Sequence, residues 1–167
     1  NMGEDRKDVG MMLKVFLESF KNIDNPPALI MKTSSAGFSV LDRRQMIEKI
    51  NMIKDDVKSD KLPNVYLLHG DLTDEEINQM YNHPKVKTHL TFTHGEGFGR
   101  PLLEASFSGK PIIAPIATGQ KDFLEKDYTI ELPHSMTKVP KSAFPKGYFN
   151  PEALWATVDY NSASQIM

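Results

Sequence analysis

The sequence predicts one α/β domain, a mostly parallel sheet flanked by helices. Three observations carry that expectation. The chain has 167 residues, about the length of a single domain. Short apolar runs of strand length alternate with stretches of helical periodicity, the pattern of βαβ units. Hydrophobic residues make up 40% and charged residues 25%, the balance of a folded core with a charged surface.

Each element has its own signal. Val9, Met12, Leu13, Phe16, Leu17 and Phe20 recur at helical spacing, so residues 8–21 form an amphipathic helix. Asn25-Pro26-Pro27 ends it, and the apolar run 28–33 reads as a strand. A second helix covers residues 42–58, with Met46, Ile50, Ile53 and Val57 on one face. Residues 65–69 form the next strand. Thr73, followed three residues later by Glu76, is a capping box that opens a helix running to about residue 82. Residues 89–93 form a third strand, followed by His94-Gly95-Glu96-Gly97-Phe98-Gly99. Arg100-Pro101 then starts a helix, since Pro is tolerated in a first turn. Residues 111–115 read as a buried strand, 119–125 as a short helix and 129–132 as a last strand. The Pro- and Lys-rich stretch 134–151 reads as a long loop or insertion, and a final helix is expected to begin near Pro151-Glu152.

Charge and composition narrow the partners. With 20 basic and 22 acidic residues the net charge is −2, so there is no bulk basic field for nucleic acid or anionic lipid. The absence of Cys excludes disulfides, Cys-bound zinc and thiol catalysis. The longest apolar run, 111–117, is far short of the roughly 20 residues that span a bilayer, so no integral membrane segment is expected. The polar N-terminus lacks a signal-peptide core. The expected location is cytoplasmic. Both ends of the chain read as cuts in a longer polypeptide.

The chemistry concentrates in Glu96-Gly97-Phe98-Gly99-Arg100-Pro101-Leu102-Leu103-Glu104. A strand, a glycine-rich turn and a helix start bring backbone N–H groups to one point, an arrangement suited to phosphate. Glycine lets the backbone come close to a ligand. Glu96 and Glu104 can both border such a ligand and accept hydrogen bonds from hydroxyls, one from a sugar and one from a ribose. The plain alternative is a tight connection with a carboxylate favourably placed in a helix's first turn. A dinucleotide fingerprint fits worse: Gly95, Gly97 and Gly99 give G-x-G-x-G, not G-x-G-x-x-G, and they do not follow the first strand.

These residues resemble a family. EGFG-x-P-x-x-EA over Glu96–Ala105 is similar to the E-x7-E element of retaining glycosyltransferases of the GT-B architecture, family 4 type. The likeness is colinear from about residue 6 to 132. It includes Arg6-Lys7 before an apolar helix, Val65-Tyr66-Leu67-Leu68-His69-Gly70 with the following Leu72-Thr73-Asp74-Glu75-Glu76-Ile77, and Ser108-Gly109-Lys110-Pro111-Ile112-Ile113-Ala114. Gly119-Gln120-Lys121-Asp122-Phe123 resembles the family's G-x-x-E-x-V, with Asp122 in the place of Glu.

The resemblance implies a Rossmann-like three-layer domain, one half of a GT-B fold, covering residues 1–167. It implies the donor-binding part of an enzyme that transfers a hexose from a nucleotide diphosphate sugar with retention of configuration, without metal or other cofactor. By analogy Glu96 lies beside the donor sugar's hydroxyls as the catalytic carboxylate, and Glu104 accepts from the ribose. Backbone amides of Gly97, Phe98, Gly99 and Leu102 hold sugar and diphosphate. Lys7, with Arg6, neutralises the diphosphate, and the segment around Leu72 meets the base. The acceptor, whether saccharide, lipid or protein, and the usual base elements belong to an N-terminal domain that this chain lacks. Any peripheral attachment to a membrane would come through that domain.

Departures and alternatives accompany this expectation. The family's Arg upstream of the Lys would fall at Asn1 or Met2, and the glycine after the first strand is replaced by Thr33-Ser34-Ser35, with Gly only at 37. Arg100 stands where an apolar residue is common, as a further diphosphate cation or a solvated side chain. His94 touches the donor or positions the loop. His69 reads as structural, and His83, His89 and His134 lack metal-ligand spacing. The single Trp155 is expected on the last helix with Leu154 and Val158, as a packing residue ahead of the alternative, a sugar platform. A nucleotide-sugar-binding module without catalysis and a sugar-nucleotide epimerase on the same fold are the alternative functions.

Overall fold

The computed structural model describes residues 5–33 and 39–167. Ser34, Ser35 and Gly37, and the Asn1 and Met2 positions, lie outside the described residues. The elements are α1 (Val9–Phe20), β1 (Leu29–Lys32), α2 (Val40–Val57), β2 (Val65–Leu68), α3 (Asp74–Asn82), β3 (His89–Leu90), α4 (Arg100–Ser106), β4 (Ile112–Ala114), β5 (Thr129–Glu131), β6 (His134–Lys138), β7 (Leu154–Val158) and α5 (Tyr160–Ile166). The chain is therefore mixed α/β. Parallel pairing joins β1 to β2 and runs through β3-β4-β5, while β6 and β7 form an antiparallel pair.

Helix α1 is the staple of the molecule because its apolar stripe is wide enough to serve two clusters. Leu13 and Leu17 pack with Met31 of β1 and with Ile50, Ile53 and Val57 of α2. Met12 and Val15 pack with Phe92, Ile113, Leu132, Val158 and Ala163. Both Leu13 and Leu17 are essentially fully buried, and each such side chain contributes about 1.5–3 kcal/mol. Strand β4 alternates as a doubly covered strand must: Ile113 joins the α1 and α5 cluster, while Ile112 and Ala114 join Leu102 and Ala105 of α4. One face of the β1–β2 pair is less covered, with Ile30 and Tyr66 about half exposed and no buried residue on α3.

The helix starts follow local chemistry. Ser39 caps α2 by accepting from the Asp42 N–H at 3.1 Å. The capping box of α3 is complete: Thr73 Oγ1 accepts from the Glu76 N–H at 3.2 Å, and Glu76 accepts from the Thr73 N–H at 2.8 Å.

The C-terminal part differs from its sequence expectation. The stretch 134–151 contains strand β6 and a 3-10 turn at Lys141–Ala143, and no helix begins at Pro151. Leu154–Val158 is strand β7, paired through His134↔Val158 to Lys138↔Leu154. Thr157 and Val158 are β-branched and suit a strand, and the ladder to β6 satisfies the backbone there. The helix start comes later, at Asp159, whose side chain accepts from the Asn161 and Ser162 N–H groups at 3.0 Å each. Trp155 therefore lies on a strand.

Among the described residues, no helix is long and apolar enough to cross a membrane.

Candidate functional site

The glycine-rich segment leaves β3 at its carboxyl end, and Thr91 still donates its N–H to the Ile113 carbonyl at 3.0 Å. Gly99 caps α4 with φ +93°, a backbone conformation that L side chains rarely adopt, and Pro101 sits in the first turn. A second turn clamps the loop from the end of β4. Thr118 Oγ1 accepts from the Glu96 N–H at 2.8 Å, and the Gly119 N–H donates to the Glu96 carbonyl at 3.0 Å. The Thr118 hydroxyl in turn donates to Gln120 Oε1 at 2.7 Å, and buried Gln120 donates to the Pro115 carbonyl at 2.9 Å. The contact is so close that a Cβ on Gly119 would lie 2.1 Å from the Gly97 oxygen. Gly119 is a requirement of packing.

The cations converge on this loop from the turn before α1. His94 N–H donates to the Arg6 carbonyl at 2.9 Å, and Thr93 Oγ1 donates to the same oxygen at 3.2 Å. That backbone docking places Arg6 Nη1 2.6 Å from the Gly95 oxygen and 3.0 Å from Glu96 Oε2, with Lys7 Nζ 2.5 Å from Glu96 Oε1. Glu96 is 9% exposed at its side chain, whereas Arg6 and Lys7 are 58% and 41% exposed. Burial pushes the Glu96 carboxyl up, but hydrogen bonds from Lys7, Thr93 and Arg6 outweigh it and hold the group below its ordinary value. Two cations face one carboxylate beside the glycine loop.

Behind the cations is a buried polar cluster. Asp8 and His94 are both almost completely buried, with Asp8 Oδ2 accepting from the Tyr160 hydroxyl at 2.7 Å and lying 3.8 Å from His94 Nε2. A carbonyl oxygen only accepts, so His94 Nδ1 carries the proton and donates to the Ala156 oxygen at 2.6 Å. The Ala156 N–H returns a bond to the His94 carbonyl at 2.9 Å. The imidazole stacks on the Trp155 indole with centroids 3.8 Å apart and planes 14° from parallel. His94 is thus an anchor holding Arg6, the loop and β7 together.

Two cavities flank the loop. One of about 260 Å³ is lined by Arg6, His94, Glu96, Thr118, Leu154 and Trp155. The other, about 150 Å³, is lined by Asp74, Asn78, Tyr81, Arg100, Glu104 and Phe107. Glu96 and Glu104 therefore line different cavities. Glu104 accepts from Arg100 Nε at 2.5 Å, and Arg100 also reaches Asp74 at 3.5 Å, so this exposed cation is engaged on the Glu104 side of the loop.

The remaining expected residues are placed as follows. Gly97 and Phe98 lie exposed at the loop, and the Phe98 ring rests 5.3 Å from Phe123. The Leu102 amide departs from the expectation: it donates to the Gly99 carbonyl at 2.9 Å, closing the first turn of α4, and its side chain is core. Leu72 sits half-buried in the segment between β2 and α3, where Lys32 Nζ donates to the Gly70 carbonyl at 3.0 Å. His69, just before it, pairs with buried Asp42 at 2.6 Å and secures this segment to α2. Among the described residues, no group of three or more acidic or His side chains converges as a metal site.

Sequence reasoning passed over Thr118 as a loop clamp and Leu154 as a cavity wall, and it set Trp155 on a helix, with packing ahead of a sugar platform. The near motif Gly119-Gln120 marked the clamp's location, but nothing local announced that β7 would reach the glycine loop. No protein-family model and no curated protein sequence matches the chain.

Proposed function

We propose that the chain is a donor-binding domain of a retaining glycosyltransferase, one Rossmann-like half of a GT-B fold, that takes a hexose from a nucleotide diphosphate sugar. The observation that carries this reading is the convergence of Arg6, Lys7 and Glu96 on the Gly95–Gly99 loop. A diphosphate would lie across the loop, with the sugar in the Glu96 cavity and the ribose toward Glu104. The amides of Gly97, Phe98 and Gly99 would donate to it. Leu102 is left out because its N–H closes the helix.

The chemistry follows from charge. When the bond between the anomeric carbon and the diphosphate oxygen breaks, the leaving group gains negative charge. Arg6, Lys7 and the loop amides are fixed in advance to receive it, which is where electrostatic catalysis is most effective. The two cations do what a divalent metal does at other diphosphate sites. They now hold Glu96, so a bound diphosphate would take them over and release the carboxylate toward the sugar's hydroxyls. The acceptor hydroxyl would come from a partner domain.

Calorimetric titration with UDP, GDP and ADP in the presence of EDTA tests this. At least one binds. No binding by any of the three at millimolar concentration refutes the donor-site reading.

A further inference from the structure

We propose that the β6–β7 hairpin forms the outer wall of the sugar subsite and that Trp155 is the surface on which the transferred hexose rests, making Trp155 a specificity-determining residue for the donor. This inference depends on the donor-site reading and adds to it a residue from a part of the chain outside the E-x7-E segment.

The cavity on the Glu96 side carries the argument. It holds a charged carboxylate, a hydroxyl at Thr118, a cation at Arg6 and an apolar wall of Leu154 and Trp155. A pyranose ring has that same division. Its C–H face is apolar and its rim carries hydroxyls, so it needs an aromatic or aliphatic surface beside acceptors and donors. The cavity on the Glu104 side has Tyr81 and Phe107 for aromatic surface but no indole, and it lies away from the Arg6 and Lys7 cations.

The indole is also pre-organised, which a packing residue at a cavity rim need not be. The His94 imidazole backs one face at 3.8 Å. That imidazole is in turn fixed by its bond to the Ala156 carbonyl, while the Ala156 amide returns a bond to the His94 carbonyl. The residue after Trp155 is thus clamped to the residue two before Glu96. Leu154, on the other side of the indole in sequence, is 53% exposed although it lies in a strand, so an apolar surface is held open at the cavity. A surface fixed in advance loses little conformational freedom when a ligand settles on it. The same clamp holds the Arg6 backbone through the His94 amide, so the sugar wall and the residue that carries the diphosphate cation share one anchor.

The chain contains a single Trp, so its fluorescence reports this position alone. Wild-type protein is titrated with UDP-glucose, GDP-mannose and ADP-glucose, and with UDP, GDP and ADP, following tryptophan emission and calorimetric Kd. The nucleotide sugar of the preferred base changes the emission, and its free diphosphate leaves it nearly unchanged. In Trp155→Leu the Kd for that nucleotide sugar rises about ten-fold while the Kd for the diphosphate changes less than about two-fold, and Trp155→Phe restores most of the difference. Equal emission changes with and without the sugar, or equal weakening of both ligands in Trp155→Leu, overturn the inference and leave the donor site standing. The wild-type emission comparison decides the matter if the Leu variant does not fold. Failure of all six compounds to bind removes the donor site and this inference together.

Discussion

Asp8 carries a buried charge directly behind the cation pair, and replacing it with Asn isolates the cost of that charge. The carboxylate is fully buried, accepts one hydrogen bond from Tyr160, and its Oδ1 has no hydrogen-bond partner among the described residues. Burial, reinforced weakly by Asp5, pushes the group up to about 6, while the Tyr160 hydroxyl and His94 act in the opposite direction. The native state thus holds the proton more tightly than the unfolded chain, whose value is near 3.8. The contribution to stability is fully present below about pH 4 and is lost as the pH rises through about 6. At about 1.4 kcal/mol per pH unit the full displacement is worth about 3 kcal/mol, reduced to about 1–2 kcal/mol by water around the neighbouring exposed turn. Asp8 also has φ +48°, a region Asn tolerates, so Asp8→Asn keeps the backbone and removes the charge, exchanging one carboxylate oxygen for an amide donor. Urea unfolding followed by circular dichroism from pH 4 to 7.5 should show the variant more stable by about 1–2 kcal/mol at pH 7.5 and close to wild type at pH 4. A variant less stable than wild type at pH 7.5, or one that keeps the wild-type decline between pH 4 and 6, refutes this account of the cluster.

Two other substitutions probe the loop. Glu104→Ala should weaken binding of the preferred nucleotide by about 1–3 kcal/mol through lost charge-assisted hydrogen bonds to ribose, and unchanged calorimetric affinity contradicts that role. Gly119→Ala would place a Cβ 2.1 Å from the Gly97 oxygen. It should lower stability by about 1–3 kcal/mol in thermal unfolding and weaken nucleotide binding, because the Gly97 backbone must shift; wild-type stability and affinity would show that the clamp does not set the loop.

Much of the architecture was legible because its causes are local. The spacing of Val9, Met12, Leu13, Phe16 and Leu17 predicts α1, and Thr73 with Glu76 predicts the start of α3, since each pattern interacts within one or two helical turns. The turn into α4 was equally plain at Gly99, whose positive φ favours glycine. The hairpin was not legible. Pro151-Glu152 carries the usual marks of a helix start, whereas the strand at Leu154–Val158 owes its stability to pairing with β6 and to contacts with His94, distant in sequence. The same holds for site electrostatics. The family resemblance implies one site for Arg6, Lys7 and Glu96, but their mutual pairing depends on Arg6 docking its carbonyl against the Thr93 and His94 donors. The Leu102 amide was misplaced for a local reason that spacing hides: with Gly99 as the cap, that N–H turns back to close the helix.

The central claim is that the fixed cations beside the glycine loop bind a nucleoside diphosphate. Its most direct test is the affinity of wild type and Lys7→Met for whichever of UDP, GDP and ADP binds best, measured in EDTA at two salt concentrations. Lys7 contributes one charge-assisted contact, so the account predicts a loss of at least about ten-fold in Lys7→Met, with a weaker dependence on salt than wild type. Equal affinity of the two proteins, with equal salt dependence, would contradict it.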